Sequence, residues 1–213
     1  MIKISYAIPV CNEHVELNRL LNLLSSYIRK EDEVVVQCDK GNTTPEVYDV
    51  LKKYDFTNLE HNYAVIEYPL NNNFANFKNN LNNNCYGDWI FQIDADEKPD
   101  ASFINKLPEI LQENSQSTDA FWVPRKNIVF GITTEHIQKW RWRIDEHGYI
   151  NYPDYQMRLY KNQDNIKWSK PVHEQLVGYK SFARFPDDFG NLCLWHHKEI
   201  KRQEKQNKFY ERL

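Results

Sequence analysis

Residues 87–97, with the sequence GDWIFQIDADE, decide the fold. Trp89 to Ile93 form an almost wholly apolar run, which is typical of a strand buried on both faces of a parallel sheet. The carboxylates of Asp94 and Asp96 follow this run directly. Because ligands of parallel α/β sheets bind at the carboxyl ends of strands, the segment predicts both a sheet and the location of its chemistry.

The chain before this segment alternates between strand and helix patterns. Apolar runs at Lys3–Val10 and Glu33–Gln37 predict two more buried strands, and Ala64–Tyr68 predicts a short third strand. Apolar residues at helical spacing fill the intervals, and we expect Asn12 to cap the first helix and Thr44 the second. This alternation predicts a parallel sheet covered by helices on both faces.

Beyond Asp119 the pattern changes to short strands rich in aromatic residues, followed by a polar helix. We expect the helix capped by Asp100 to be interrupted or restarted at Pro108, because proline lacks the backbone N–H that a helix uses. No linker rich in Pro, Ser or Gly separates the two halves. We therefore predict one compact α/β domain over residues 1–213, in which a mixed sheet extends the parallel one. The predicted strands of the second half are Ala120–Val123, Gln156–Tyr160, Ile166–Trp168 and Leu192–Trp195.

Composition narrows the classes of function. The 213 residues carry a net charge of −3, which does not indicate general nucleic-acid binding. The four cysteines are scattered without a C-x-x-C pair, which favours a reducing compartment. The sequence shows neither a signal peptide nor an apolar run of the roughly 20 residues needed to cross a bilayer. We expect a cytoplasmic protein with no transmembrane segment and no nucleic-acid partner.

Glycine usage narrows the ways in which the chain binds phosphate. The sequence has six glycines, and the nearest two are Gly178 and Gly190. This spacing excludes both the G-x-G-x-x-G dinucleotide loop and the G-x-x-x-x-G-K-[ST] phosphate loop. The paired carboxylates of Asp94 and Asp96 suit a divalent cation, Mg²⁺ or Mn²⁺, which keeps coordination positions open for substrate phosphates. A turn or helix cap rich in aspartate is the alternative interpretation of such a pair.

Three segments together resemble the opening of a family 2 glycosyltransferase with the GT-A fold, namely ISYAIPVCNE at 4–13, VVQCD at 35–39 and GDWIFQIDADE at 87–97. This resemblance covers Met1 to about Pro99. The chain is also similar, more loosely, to small bacterial glycosyltransferases that decorate lipopolysaccharide cores. The segments that carry this second likeness are Asp154–Tyr160, Trp168 with Val172–Glu174, and His196 with Lys205–Tyr210.

The resemblance implies a parallel β/α half, residues 1–99, that binds a nucleotide-sugar, and a mixed-sheet half, residues 100–213, that binds the acceptor and ends in a helix. It implies a UDP-sugar as the usual donor, with Mn²⁺ or Mg²⁺ holding the diphosphate. The implied metal ligands are Asp94, Asp96 and His196, and His197 is the rival of His196 because adjacent strand residues point to opposite faces. The residues implied at the nucleotide are Pro9, Asn12, Glu13, Asp39, Lys78, Asp94 and Lys205.

The resemblance also implies a hexosyltransferase that moves one sugar to a hydroxyl group of a glycan or a lipopolysaccharide-like saccharide. We expect Glu174 to take the proton from that hydroxyl if transfer inverts the anomeric centre, with His173 as second candidate or as the group that orients Glu174. On the C-terminal helix, Lys205, or Lys201 and Arg202, could fold over the diphosphate as a lid.

Two other functions compete with this hypothesis. A non-catalytic module that binds a sugar-nucleotide or a glycan would share the fold, and the presence of Asp94, Asp96 and Glu174 argues against it. A nucleotidyltransferase would also use paired carboxylates and metal, but it usually has a phosphate loop that this sequence lacks.

The second half is rich in aromatic residues with two possible roles. Residues 138–142, QKWRW, match the Q-x-x-R-W signature of processive polysaccharide synthases, a match that we interpret as coincidence because no membrane helix follows it. The rings nearby either belong to the core or stack on sugars, and the core is the default interpretation. They are Trp140, Trp142, Tyr149, Tyr152 and Tyr155.

Overall fold

A computed structural model of the chain describes residues 1–54, 62–186 and 191–210, with side chains of the last helix described as far as Lys208. The strands of these ranges are β1 Ile4–Val10, β2 Glu33–Asp39, β3 Asn62–Tyr68, β4 Trp89–Gln92, β5 Glu97–Pro99, β6 Ala120–Phe130, β7 Ile150–Lys161, β8 Lys167–Ser169, β9 Gln175–Val177, β10 Phe182–Arg184 and β11 Leu194–Glu199. The helices are α1 His14–Tyr27, α2 Pro45–Lys53, α3 Phe74–Asn82, α4 Ala101–Asn114, α5 Thr134–Trp140 and α6 Ile200–Tyr210. Within the described ranges, none of these helices has the length and apolar character that a membrane span requires.

The first half is the predicted parallel sheet, with the strand order β3-β2-β1-β4. Successive residues of β1 point to opposite faces of the sheet, as the backbone of a strand dictates. Tyr6 and Ile8 join one buried cluster with leucines of α1, whereas Ala7 lies in a second cluster with Leu81 of α3. Because both faces are covered by helices, β1 and β2 are buried at nearly every position rather than at every second one.

The second half extends this sheet with strands of mixed direction, as predicted. β7 pairs antiparallel with β4, β6 pairs antiparallel with β7, and β11 runs parallel to β6. The short strand β5, which directly follows the acidic turn, pairs with the outer edge of β11. This pairing carries the turn after β4 across to β11, so residues from the two halves of the chain meet at one edge of the sheet.

Two predictions about helix ends were wrong. Glu13, not Asn12, occupies the N-cap position of α1, and its carboxylate accepts hydrogen bonds from the backbone N–H groups of Cys11 and Asn12 at 2.8 and 2.9 Å. Pro108 lies inside α4 and does not interrupt it. The buried residues Phe103, Ile104, Leu107 and Leu111 hold α4 against the sheet on both sides of this proline.

A buried carboxylate fixes the loop that enters β4. Glu33 accepts hydrogen bonds from the hydroxyl of Ser5 and from the backbone N–H groups of Tyr86 and Gly87, the last at 3.1 Å. The Gly87 N–H also lies 2.8 Å from the Ser5 hydroxyl. A Cβ atom at Gly87 would lie 2.7 Å from the Ser5 backbone nitrogen, so only glycine fits this close approach.

We predict that Gly87→Ala lowers the free energy of unfolding by about 1–3 kcal/mol, because the added methyl group overpacks a contact with backbone atoms. Denaturant unfolding followed by circular dichroism measures this loss. Tyr86→Ala is the matched control, since the Tyr86 side chain is 84 % exposed and its removal should change stability by less than about 0.5 kcal/mol. Equal midpoints for Gly87→Ala and the unaltered protein would contradict the prediction.

Candidate active site

The acidic turn lies at the carboxyl edge of the parallel sheet, as predicted. Ile93 still pairs with β1 through a hydrogen bond from its N–H to the Ala7 carbonyl at 3.0 Å, and the chain then turns. The turn closes with a hydrogen bond from the Glu97 N–H to the Asp94 carbonyl at 2.8 Å. The carboxylates of Asp94 and Asp96 are therefore presented by a short, internally bonded turn rather than by a free loop.

A buried guanidinium holds the base of this turn. Arg158 on β7 pairs with the carboxylate of Asp94 and donates to both oxygens of Glu97, at 2.8 and 2.9 Å. Arg125 donates to the same Glu97 at 2.8 Å and to Asp154 at 2.6 Å. Burial alone would raise the pKa of Glu97, but the charges of Arg158 and Arg125 outweigh burial and hold that pKa below its usual range. Glu97 is therefore ionised and fully paired inside the protein.

Three basic side chains converge on one oxygen of Asp96. His196 Nε2 lies 3.3 Å, Arg202 3.5 Å and Lys198 Nζ 3.8 Å from Asp96 Oδ2. Burial acts to raise the pKa of Asp96, but the hydrogen bond and charge of His196, with the charges of Lys198 and Arg202, lower it well below its ordinary value. Asp96 is a carboxylate at any physiological pH.

Alternation along β11 places the two candidate histidines on opposite faces of the sheet. His196 faces Asp96, and its Nδ1 lies 2.7 Å from the Asn127 side-chain oxygen. His197 points to the opposite face, where its ring lies against Trp195 and Phe130. Of the two candidate histidines, the geometry therefore brings His196 to the acidic turn.

The donor set of the turn partly matches the predicted metal site. Within the described ranges, no three His, Cys, Asp or Glu side chains are placed to hold one ion together, because Asp94 is turned towards Arg158. Asp96 and His196 are adjacent, and a carboxylate beside an imidazole suits an ion that takes its other ligands from phosphate and water. The residues present therefore fit a two-ligand site at Asp96 and His196.

Arg202 ties the C-terminal helix to the first half of the chain. Its guanidinium lies 2.7 Å from Oε1 of Glu13, the N-cap residue of α1, and 3.1 Å from Oε1 of Glu16 on the first turn of that helix. Lys205, which was predicted at the nucleotide, is exposed one turn further along α6. Burial raises the pKa of the Cys11 thiol to about 11, and the charge of Lys205 opposes this rise. Because Cys11 directly follows β1, Lys205 lies near the end of that strand. The helix α6 thus covers the edge at which β1 and β4 end.

The other residues predicted at the nucleotide lie at the ends of β1 and β2. Pro9 is half-buried within β1, and Asn12 is exposed after it. Asp39 ends β2 and is buried, where its carboxylate accepts from the Leu70 N–H at 2.9 Å and from the Asn42 amide at 3.1 Å. Asp39 therefore connects the loop after β2 with the loop after β3 at this edge of the sheet.

The structure pairs two residues that were predicted to act separately. Lys78 on α3 donates to Glu174 Oε1 at 2.5 Å, and its ammonium group lies 4.4 Å from the centre of the Trp168 ring. The charge of Glu174 also acts on Arg158, so this pair lies close to the base of the acidic turn. His173 is exposed beside Glu174, with a left-handed backbone φ of 53°.

A crevice of about 270 Å³ opens between the acidic turn and the second half. The carboxylates of Asp94 and Asp96 line one side together with His196. Trp142 and Asn127 also line the crevice, and Asn127 lies beside His196. One ring of the QKWRW segment thus borders the crevice instead of lying in the core.

Sequence analysis missed the roles of Arg158 and Lys198, two cations that pair with the acidic turn. Arg158 interrupts an apolar stretch of β7, between Met157 and Leu159, and a charged residue at such a position signals a buried partner. Lys198 lies two residues after His196 on β11, so the two side chains share a face of the strand. Its charge at a buried position of that face gives the same signal. No local pattern indicates which carboxylates these cations meet.

Comparison with known proteins identifies the family of this arrangement. The family model described as Glycosyl transferase family 2 matches residues 5–182. No curated protein matches the sequence.

Several solved structures share the fold. TarS 1-349 of S. aureus in complex with UDP-GlcNAc superposes on 92 % of this chain and 59 % of its own, with a TM-score of 0.65 and 16 % identity. The same protein in complex with UDP gives a TM-score of 0.64 and 15 % identity over 92 % of this chain and 60 % of its own. At these identities the likeness shows the fold alone, and the chain spans about 60 % of the length of that relative.

We predict that Arg158→Met lowers the free energy of unfolding by about 3–5 kcal/mol, since it leaves the carboxylate of Asp94 without its cation and the buried Glu97 with Arg125 alone. Denaturant titration of the purified variant measures the loss. Arg184→Met is the control, because Arg184 is exposed and its replacement should cost less than about 0.5 kcal/mol. A similar small effect at both positions would show that the buried ion pairs of Arg158 contribute nothing to the free energy of unfolding.

Proposed function

The chain belongs to glycosyl transferase family 2, and we propose that it is a metal-dependent, inverting enzyme that transfers one sugar from a UDP-sugar to a hydroxyl group of a saccharide acceptor. The observation that carries this proposal is the meeting of Asp96 and His196 at the carboxyl edge of the parallel sheet, 3.3 Å apart. A sheet edge with a fixed carboxylate and several cations suits a diphosphate.

The donor nucleoside is proposed to lie at the ends of β1 and β2. Pro9, Asn12, Glu13 and Asp39 surround that edge, and Lys78 is the cation predicted beside them. The complexes of TarS with UDP and UDP-GlcNAc support a uridine donor on this fold. The first half, residues 1–99, is thus assigned to the nucleotide-sugar.

Asp96 and His196 are proposed to hold Mn²⁺ or Mg²⁺, with Asp94 beside them. A divalent ion at this place supplies positive charge against the diphosphate that leaves the sugar. Lys198 and Arg202 already lie within 4 Å of Asp96, so they remain next to the diphosphate and add to this charge.

The helix α6 is proposed to act as a lid. Arg202 anchors it to Glu13, and Lys205 lies on the same side near Cys11. A lid at this edge excludes water from the donor, which limits hydrolysis of the sugar-nucleotide.

Glu174 is proposed to act as the general base. In an inverting displacement the acceptor oxygen forms a bond to the anomeric carbon while the bond from that carbon to the diphosphate breaks, and the hydroxyl proton passes to a carboxylate. Lys78 fixes the direction of the Glu174 carboxylate through its 2.5 Å hydrogen bond. The second half, residues 100–213, is assigned to the acceptor, which we expect to be a glycan or a lipopolysaccharide-like saccharide.

We predict that Asp96→Asn weakens Mn²⁺-dependent binding of UDP by at least about tenfold, equivalent to about 1.4 kcal/mol, because the amide lacks the charge that binds the ion. Isothermal titration of UDP with Mn²⁺ and with EDTA gives the two affinities. The control Asp49→Asn alters an exposed aspartate of α2 and should bind like the unaltered protein. Retention of full Mn²⁺-dependent affinity in Asp96→Asn would remove the metal assignment.

We predict that Glu174→Gln leaves UDP binding intact but slows sugar transfer by about 10²-fold or more, as expected for loss of a general base. Release of UDP from a panel of UDP-sugars, with and without saccharide acceptors, measures turnover and also separates an enzyme from a binding module. Glu146→Gln, at an exposed position, serves as control. Normal turnover in Glu174→Gln would assign the proton transfer to another residue.

A further inference from the structure

A second cavity, of about 370 Å³, lies on the opposite side of β11 from His196. Trp195 and His197 project into it because they alternate with His196 along the strand. Phe130, at the end of β6, completes a wall of three rings. The ring centres of Trp195 and His197, and those of His197 and Phe130, are 5.9 Å apart, with planes within 19° and 24° of parallel.

This wall is open to solvent although it is largely aromatic. Phe130 is 51 % exposed, and His197 is also exposed. Trp195 is held in place by a hydrogen bond from its indole N–H to Asp100 at 3.1 Å and by Lys126, whose ammonium group lies 4.5 Å from its ring centre. Fixed aromatic surface beside open solvent is typical of a binding surface, because a ring that served only the core would be covered.

Charged side chains of both signs line the cavity, and they differ in whether they are paired. Arg19 of α1 and Lys98 of β5 are exposed, and within the described ranges neither forms an ion pair. The other charged residues of the lining, apart from Glu199, are already in ion pairs: Glu16 with Arg202, Asp96 with Lys198, and Glu97 with Arg158. In the described part of the lining, two cations and one carboxylate therefore remain without an ion pair.

We propose that this cavity, lined by Phe130, His197, Trp195, Arg19 and Lys98, binds a sugar unit that carries one negative charge, with its ring against the aromatic wall and its acidic group between the two cations. The axial C–H bonds of a pyranose ring stack on aromatic faces, and its hydroxyl groups can donate to Glu199. The volume is that of a small-ligand site and matches one or two sugar units. The cavity lies on the other face of β11 from His196, and it adjoins the crevice at Asp96 and Lys198, which line both.

A nucleotide is the rival ligand, since it too combines a ring with negative charge. A diphosphate carries at least two negative charges, which exceed the single net positive charge left by Arg19, Lys98 and Glu199. An acidic sugar offers a hydroxyl donor to Glu199 and a single charge to Arg19 and Lys98. The lining therefore favours the sugar.

The test is saturation-transfer NMR on the intact protein in EDTA, with glucose, glucuronic acid, glucose 6-phosphate and UMP as separate probes. We expect glucuronic acid to bind with a Kd of about 1 mM and about tenfold more tightly than glucose. Glucose 6-phosphate carries about −1.5 to −2 charges at neutral pH, so weaker binding than that of glucuronic acid would support the preference for a single charge. Binding of glucose 6-phosphate as tight as that of glucuronic acid would overturn this preference.

Variants locate the signal in this cavity. We expect the double variant Phe130→Ala/His197→Ala to lose binding of glucuronic acid about tenfold or more, and Arg19→Gln/Lys98→Gln to bind glucuronic acid and glucose equally. Tyr86→Ala, which removes an exposed ring elsewhere, is the control.

Three results would each overturn the proposal. They are unchanged binding in both double variants, no binding of either acidic sugar at about 10 mM, and tighter binding of UMP that depends on Phe130 and His197. UDP release by the unaltered protein tests the proposed transferase function separately, so the failure of one proposal is distinguishable from that of the other.

Discussion

The pairing of Arg158 with Asp94 and Glu97 is the interaction on which the site depends. A buried guanidinium is stabilised only when carboxylates surround it, and Arg158 finds both of them on the turn after β4. β7 thereby fixes a turn that belongs to the other half of the chain. Since β5 follows this turn and pairs with β11, the position of Asp96 against His196 follows from the same contact.

Positive charge at this edge is supplied in two layers. Arg158 and Arg125 lie behind the turn and are satisfied by buried carboxylates. Lys198 and Arg202 lie in front of it and share Asp96 with His196. The back layer is committed to Asp94, Glu97 and Asp154, whereas the side chains of the front layer share the single carboxylate of Asp96.

The sequence predicted those parts of the fold whose apolar pattern lies within a single segment of the chain. The apolar runs of β1, β2 and β4 indicated the parallel half, and the change of pattern after Asp119 indicated the mixed extension. Other features depend on contacts between distant residues: β5 is too short to stand out, and the pairs Arg158–Glu97 and Lys78–Glu174 join residues 61 and 96 positions apart. Alternation along β11 left two candidate histidines, and only the register of β5 against β11 selects His196.

The ion pair between Arg202 and Glu13 joins residues 189 positions apart in the chain. During synthesis, Glu13 therefore leaves the ribosome long before its partner exists. The parallel strands can pair early, as N-terminal segments do, but the edge that carries Asp96 stays open until α6 has been made. Contacts of such long sequence separation slow the last stage of folding, because the chain entropy of closing the loop is lost before the contact forms. A nascent chain of this protein thus acquires its sheet before it acquires its site.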